Sequence, residues 1–277
     1  MNKNAIDNEI RLETRWVAAL VIPFLVVAFV ILFMFPHETD KLFAWKIQPP
    51  MSAMMLGSAY AGGIYFFVGV VRSKQWHKVK VGFLPVITFA SLLGIATILH
   101  WEKFNHSHVS FFAWVGLYFT TPFIVFFVWL RNRNQNAGYL GDEDRIIPNV
   151  ARLIMGIFGA VTLTISLFLF LQPSMMISLW PWTLTPLTAR VMGAMFALPG
   201  VVGLGIASDK RWSAAILILQ SQGFSILLIL IASIRASEDY NWANWVSWAF
   251  VGGLGLMLIS IVVVSMFMRN RNENHSS

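Results

Sequence analysis

Three histidines within nine residues form the first candidate for chemistry. The stretch HWEKFNHSH contains His100, His106 and His108, with Glu102 between the first two. Neutral imidazole binds zinc or copper, and a His-x-His pair on an extended loop can chelate a metal. The pattern therefore predicts an outer-face zinc or copper site. A metal-free, solvated loop accounts for the same residues, because the chain has no cysteine and no zinc-finger spacing is present.

Charged residues outside the apolar runs form a second candidate site. Arg190 begins an apolar run, where a cation opposes the dipole of a helix. We therefore expect an acidic side chain, a lipid phosphate or an anionic ligand beside it; an ion pair or lipid contact without ligand binding is the alternative. Together with other segments on the outer side of the membrane, Arg190 predicts a vestibule that binds a ligand. Its predicted residues are Arg190, Arg235, Glu238, Asp239, His100 and Glu102, with Gln220 from the seventh apolar run.

Catalytic signatures are absent from the sequence. None of the 13 Asp and Glu residues falls inside a predicted span. Proton- and sodium-coupled transporters usually keep a carboxylate in the membrane, so the pattern argues against both mechanisms. The chain also contains no G-x-S-x-G, H-E-x-x-H or Walker lysine motif. We predict no catalytic residues.

Eight long apolar runs must position these groups. The chain is 57% hydrophobic and only 12% charged, about half the charge of a soluble domain. Each run can cross a bilayer as a helix, which predicts an all-α integral membrane protein. The runs begin near Trp16, Ser52, Val81, Val109, Val150, Thr188, Trp212 and Ala243, and end near Phe35, Val71, Leu99, Leu130, Leu171, Ala207, Ile234 and Met268. Tryptophans near these ends, including Trp45, Trp76 and Trp182, suit membrane interfaces.

The basic residues predict the orientation. Of the 20 Lys and Arg residues, 15 would lie on the side that holds both termini. The positive-inside rule makes that side cytoplasmic. Basic residues at the ends of apolar runs indicate contact with anionic lipid headgroups rather than nucleic acid. Short loops favour the cytoplasmic membrane of a bacterium.

A repeated tetrapeptide predicts the domain organisation. Arg-Asn-Arg-Asn occurs at 131–134 and again at 269–272, each time after a fourth apolar run. The segments WKIQPP and WTLTPL keep nearly the same offset, 137 residues. Four spans per unit put both units in the same sense, so we expect two parallel four-helix repeats related by a pseudo-twofold along the membrane normal. The predicted parts are a cytoplasmic tail (1–15), a first repeat (16–134), a cytoplasmic linker (135–149) and a second repeat with a short tail (150–277).

Three functions remain open at this point. The first is a non-enzymatic binder or transporter-like scaffold for a small apolar or lipid-like solute. The second is a structural or regulatory subunit of a membrane complex, which would bind a membrane-protein partner or a second copy of the chain. The third is a membrane enzyme with a metal at the histidine loop. A binder requires a cavity between the halves that reaches Arg190 or Gln220.

Overall fold

The computed structural model describes residues 8–135 and 144–270. Within these ranges the chain forms ten α-helices and no β-strand. The eight long helices are α1 Leu12–Phe29, α3 Pro50–Arg72, α4 Phe83–Leu99, α5 Val109–Asn132, α6 Asn149–Leu171, α8 Pro186–Ser208, α9 Trp212–Arg235 and α10 Trp245–Asn270. The short helices are α2 Thr39–Leu42 and α7 Pro173–Leu179, and a π-helical turn at Val30–Met34 continues α1.

The eight predicted spans coincide with the eight long helices. When the π-helical turn is counted with α1 (Leu12–Met34), predicted and observed ends differ by at most four residues, and the largest difference is at the start of α1. All eight helices are long and apolar enough to cross a membrane. The protein is therefore a multi-pass helical membrane protein. Parts of the predicted tails and linker (1–7, 136–143 and 271–277), with the end of the second Arg-Asn-Arg-Asn tract, lie outside the described residues.

Four helices form the centre of the bundle and four surround them. The buried share of the most apolar 18-residue stretch is 44–61% in α3, α4, α8 and α9, against 6–33% in α1, α5, α6 and α10. At the centre α3 packs against α9, and α4 against α8. Around it α1 packs on α3 and α6 on α8, while α5 packs on α4 and α10 on α9. The packing of α1 on α3 and of α5 on α4 thus has counterparts in the second half, in α6 on α8 and α10 on α9.

Glycines line the contact between α6 and α8, so the two backbones approach each other closely. An added Cβ at Gly203 would lie 2.5 Å from the carbonyl oxygen of Met155 and 2.7 Å from Cα of Gly159. At Gly200 it would lie 2.9 Å from Cβ of Leu163. Small residues let membrane helices approach closely and gain van der Waals contact. This seam fixes α6 against the centre of the protein.

Aromatic side chains pack the loops at one end of the bundle, which we call the aromatic end (35–49, 100–108, 172–185 and 236–244). Trp45 packs edge-on against Trp114 with ring centroids 4.7 Å apart, and Trp182 packs against Tyr240 at 5.0 Å. Nε1 of Trp182 donates a hydrogen bond of 2.9 Å to Oγ of Ser52 on α3. That bond joins the second half of the chain to the first.

Polar contacts join the segments at the opposite end of the bundle, which we call the basic end (8–11, 73–82, 133–135, 144–148 and 209–211). Lys80 and Asp209 form an ion pair of 2.8 Å between the two halves. The guanidinium of Arg211 donates a 2.7 Å hydrogen bond to the same carboxylate. The ion pair fixes the start of α9 beside the loop that follows α3, and the Arg211 contact holds the Asp209 carboxylate in place.

Candidate functional site

A cavity of about 620 Å³ lies among the helices and is lined by residues from both halves. All eight long helices contribute to its wall. The volume falls within the usual range for ligand pockets, roughly 300–1,000 Å³. A cavity between the halves is thus present, but neither Arg190 nor Gln220, one of which we expected it to reach, is among its lining residues.

The wall of the cavity is apolar and uncharged. Aromatic and aliphatic side chains make up most of it, and no Asp, Glu, Lys, Arg or His is among the lining residues. The lining residues with a polar side-chain atom are Tyr60, Tyr118, Thr121, Thr162, Trp180, Ser221, Gln222, Ser225 and Trp245. An uncharged wall of this kind favours neutral ligands, because a charge transferred from water would be left without a partner.

The cavity opens to the side of the bundle. All the exposed residues of its lining are on α6, α7 and α10, and they are Phe158, Val161, Leu179, Trp245, Ala249 and Gly253. The lining residues contributed by α1, α3, α4, α5, α8 and α9 are buried or half-buried. The opening therefore lies between α6 with α7 on one side and α10 on the other, at the surface that lipid tails would cover.

A difference between the halves accompanies this opening. At the basic end α5 is tied to α1, because Asn132 Nδ2 donates to Thr14 Oγ1 at 2.6 Å and Asn132 Oδ1 accepts from the backbone N–H of Arg11 at 3.1 Å. At the positions 137 residues later, α6 begins with Pro148 before it and Ala151 in its first turn. Pro148 has no backbone N–H to donate, and the Ala151 side chain has no atom that can accept. In agreement, α1 and α5 pack together whereas α6 and α10 make no extended contact.

Six of the seven predicted vestibule residues lie at or next to the aromatic end, apart from the cavity, whereas Gln220 lies within α9. Arg190 Nη1 donates to His100 Nε2 at 2.7 Å, so the imidazole is the acceptor and is neutral. Burial lowers the pKa of His100, and the nearby Arg190 lowers it further. Among the described residues Arg190 has no carboxylate within ion-pair distance. The expected acidic partner of Arg190 is thus replaced by a neutral histidine.

The other predicted vestibule residues have separate environments. Asp239 Oδ2 accepts from the N–H of Met51 in the first turn of α3, at 2.8 Å. Arg235 Nη1 donates to the carbonyl of Phe33 at 2.9 Å. The remaining three are exposed: Glu102, Glu238 and Gln220, the last accepting a 3.1 Å hydrogen bond from Tyr65. None of the seven lines the cavity. Ligand binding by this set stays a prediction.

The three histidines have different partners. His108 Nδ1 lies 2.6 Å from Oγ of Ser110 at the start of α5, and the His106 ring packs edge-on against Phe111. The third, His100, faces Arg190. No group of three His, Asp or Glu side chains placed to hold a metal occurs in the part of the chain that the structure describes. The zinc or copper site remains a prediction.

Gln222, rather than Gln220, is the glutamine that lines the cavity. Two residues along a helix turn the side chain by about 200°, so the two amides point to opposite faces. The signal in the sequence is the inward stripe Ile218, Ser221, Gln222, Ser225, Ile226 and Ile229, which has the i, i+3, i+4 spacing of one helix face.

Comparison with known proteins adds no relative: no family model, no curated protein and no solved structure matches the chain.

Proposed function

We propose that the protein binds a small apolar or lipid-like solute in its membrane-embedded cavity and has no catalytic role. The observation that carries the proposal is the sideways opening between α6 and α10, where all the exposed lining residues lie. A solute dissolved among lipid tails reaches an uncharged cavity through this opening without crossing a polar surface. Such a solute loses little by leaving the bilayer and gains packing contacts in a preformed cavity.

The proposed architecture is two parallel four-helix repeats, related by a pseudo-twofold along the membrane normal, with both termini on the cytoplasmic side of a cell membrane. Matched backbone contacts support it. The N–H of Ile10 donates to the carbonyl of Lys74 at 3.2 Å, and the N–H of Ile147 donates to the carbonyl of Lys210 at 2.8 Å. The donors are 137 residues apart and the acceptors 136. On this proposal the cavity opens only where the second repeat lost the contact that ties its outer helices.

The experiment that tests binding uses two glycines that are neighbours on α10. A Cβ at Gly253 or at Gly252 would meet no atom within 4 Å, so both positions tolerate a large side chain. Gly253 lines the cavity and Gly252 does not. We expect wild type in lipid nanodiscs to bind radiolabelled octadecene saturably, Gly253→Trp to lose that binding, and Gly252→Trp to keep it.

Circular dichroism and size-exclusion profiles should be the same for the three proteins. If wild type shows only unsaturable partitioning of octadecene, or if both tryptophan variants bind as wild type does, the proposed function is wrong.

A second candidate function, assembly with another membrane protein or a second copy of the chain, is favoured by α10. Only 6% of its most apolar 18-residue stretch is buried, the lowest value of the eight spans. Gly252 and Gly255 leave open space on its surface, and small residues of this kind permit close approach of another helix. Light scattering of the protein in mild detergent tests this directly. A monomer without a stoichiometric partner would exclude it.

A further inference from the structure

Hydrogen-bond donors without acceptors lie in the wall of the cavity. The amide nitrogen Nε2 of Gln222 and the indole nitrogen Nε1 of Trp180 are buried, and neither has a hydrogen-bond partner among the described residues. The hydroxyls of Tyr60 and Tyr118 lie 2.6 Å apart and bond to each other. That bond uses one of their two hydrogens, and no described residue accepts the other.

Two of the four serine and threonine hydroxyls in the wall already use their donors. Ser221 Oγ donates to the carbonyl of Gly62 at 2.8 Å, and Thr162 Oγ1 donates to the carbonyl of Phe158 at 2.9 Å. The wall therefore has hydrogen-bond donors to spare and no charged group. A buried donor without an acceptor is unfavourable, most of all where no water reaches it. An acceptor carried by the ligand would remove that penalty.

Gln222 lies near the middle of its membrane span. It is ten residues from Trp212 at the start of α9, which is about 15 Å along a helix and half of a hydrocarbon core of about 30 Å. Trp180 lies in the turn that follows α7, at the aromatic end. The spare donors are thus at two depths, with apolar wall between them.

We propose that the ligand is a neutral lipid that carries a carbonyl group, and that Gln222 recognises the carbonyl oxygen. This inference rests on the proposed function. Fatty acids and phospholipids are excluded from the class, because their charged groups would meet no counter-charge in the wall. Pure hydrocarbons enter the cavity but leave Gln222 without an acceptor, so they bind more weakly.

The test compares three ligands that share a long apolar chain: methyl oleate, octadecene and oleate. The variant Gln222→Leu removes the donor and keeps an apolar side chain of similar size. The control Gln220→Leu makes the same change two residues away, on the exposed face outside the cavity. Affinities are measured by competition against radiolabelled octadecene on protein in nanodiscs.

Wild type should bind methyl oleate about fivefold to tenfold more tightly than octadecene, the effect of one hydrogen bond made away from water. Gln222→Leu should remove that preference, so that methyl oleate and octadecene bind with equal affinity. Gln220→Leu should behave as wild type, and oleate should bind most weakly of the three.

The outcomes separate the two proposals. Equal affinity of wild type for methyl oleate and octadecene, or a preference that survives in Gln222→Leu, overturns the role of Gln222 and leaves the apolar site intact. Preferential binding of oleate overturns the neutral ligand class. If wild type binds none of the three, the proposed function fails and this inference fails with it.

Discussion

Alanine at Gly203 should destabilise the protein by separating α6 from α8. The added Cβ would lie 2.5 Å from the Met155 carbonyl oxygen and 2.7 Å from Cα of Gly159. Ordinary contact starts at 3.4 Å, so the shortfall at the oxygen is 0.9 Å. Both obstructing atoms belong to the backbone of α6, which cannot rotate away as a side chain does. The two helices must therefore move apart by about 1 Å at this point.

The size of the effect follows from the cost of overpacking, which is typically about 1–3 kcal/mol. The matched control is Gly252→Ala in α10, where the new Cβ would meet nothing within 4 Å. Glycine-to-alanine changes inside helices also bring a favourable propensity term of up to about 1 kcal/mol, but it is common to both variants. The difference between them should thus be about 1–3 kcal/mol. For a chain of this size that is a difference in melting temperature of roughly 2–12 °C.

Thermal unfolding in mild detergent, followed by tryptophan fluorescence, measures this difference. We expect Gly203→Ala to melt below wild type and Gly252→Ala to melt at or above it. Equal melting temperatures for the two variants would show that the seam between α6 and α8 is not as close as described. The same variant should also weaken octadecene binding, because α6 forms one side of the cavity opening.

Two further predictions concern the loops. Burial lowers the pKa of His77 to about 4, with Arg211 adding to the effect, and Asn8 Nδ2 donates to its Nδ1 at 2.6 Å. Between pH 6.5, the ordinary pKa, and about pH 4 only the unfolded chain takes up this proton. The melting temperature of wild type should therefore fall as the pH is lowered through that range, and that of His77→Gln should fall less. Parallel pH profiles for the two proteins would contradict this. For the topology, alkaline phosphatase inserted near Asn105 should be active and a fusion after Asn272 inactive, whereas the reverse pattern would invert the proposed orientation.

The helices were predictable from the sequence because a membrane span needs about 20 apolar residues, and because its backbone N–H and C=O groups must hydrogen-bond to each other within the span. The surroundings of the tryptophans were less predictable. Trp16 and Trp101 are exposed, as expected of interfacial aromatics, but Trp45, Trp76 and Trp182 are at most 3% exposed. Hydropathy marks a residue near the end of a span and cannot say whether a folded loop covers it.

Which residues line the cavity depends on how each helix is rotated about its own axis, and composition does not determine that rotation. Charged residues that the sequence predicts to bind a ligand, such as Arg190 and Glu238, lie outside the cavity. An uncharged cavity is lined by apolar residues that resemble those of any other membrane helix. The apolar start of α6 at Ala151, against Thr14 in α1, was visible in the sequence but gains meaning only when Asn132 is seen to bond Thr14. Differences between the halves were the informative signal.

Photolabelling of the wild-type protein tests the central claim most directly. Protein in nanodiscs is irradiated with a diazirine derivative of octadecene, and the labelled residues are mapped by mass spectrometry. We predict that labels that excess octadecene suppresses will concentrate on cavity residues of α9 and α10, such as Ile226 and Phe250. Labelling confined to outward-facing residues such as Leu20 and Phe123, and insensitive to competition, would show that the cavity does not bind an apolar solute.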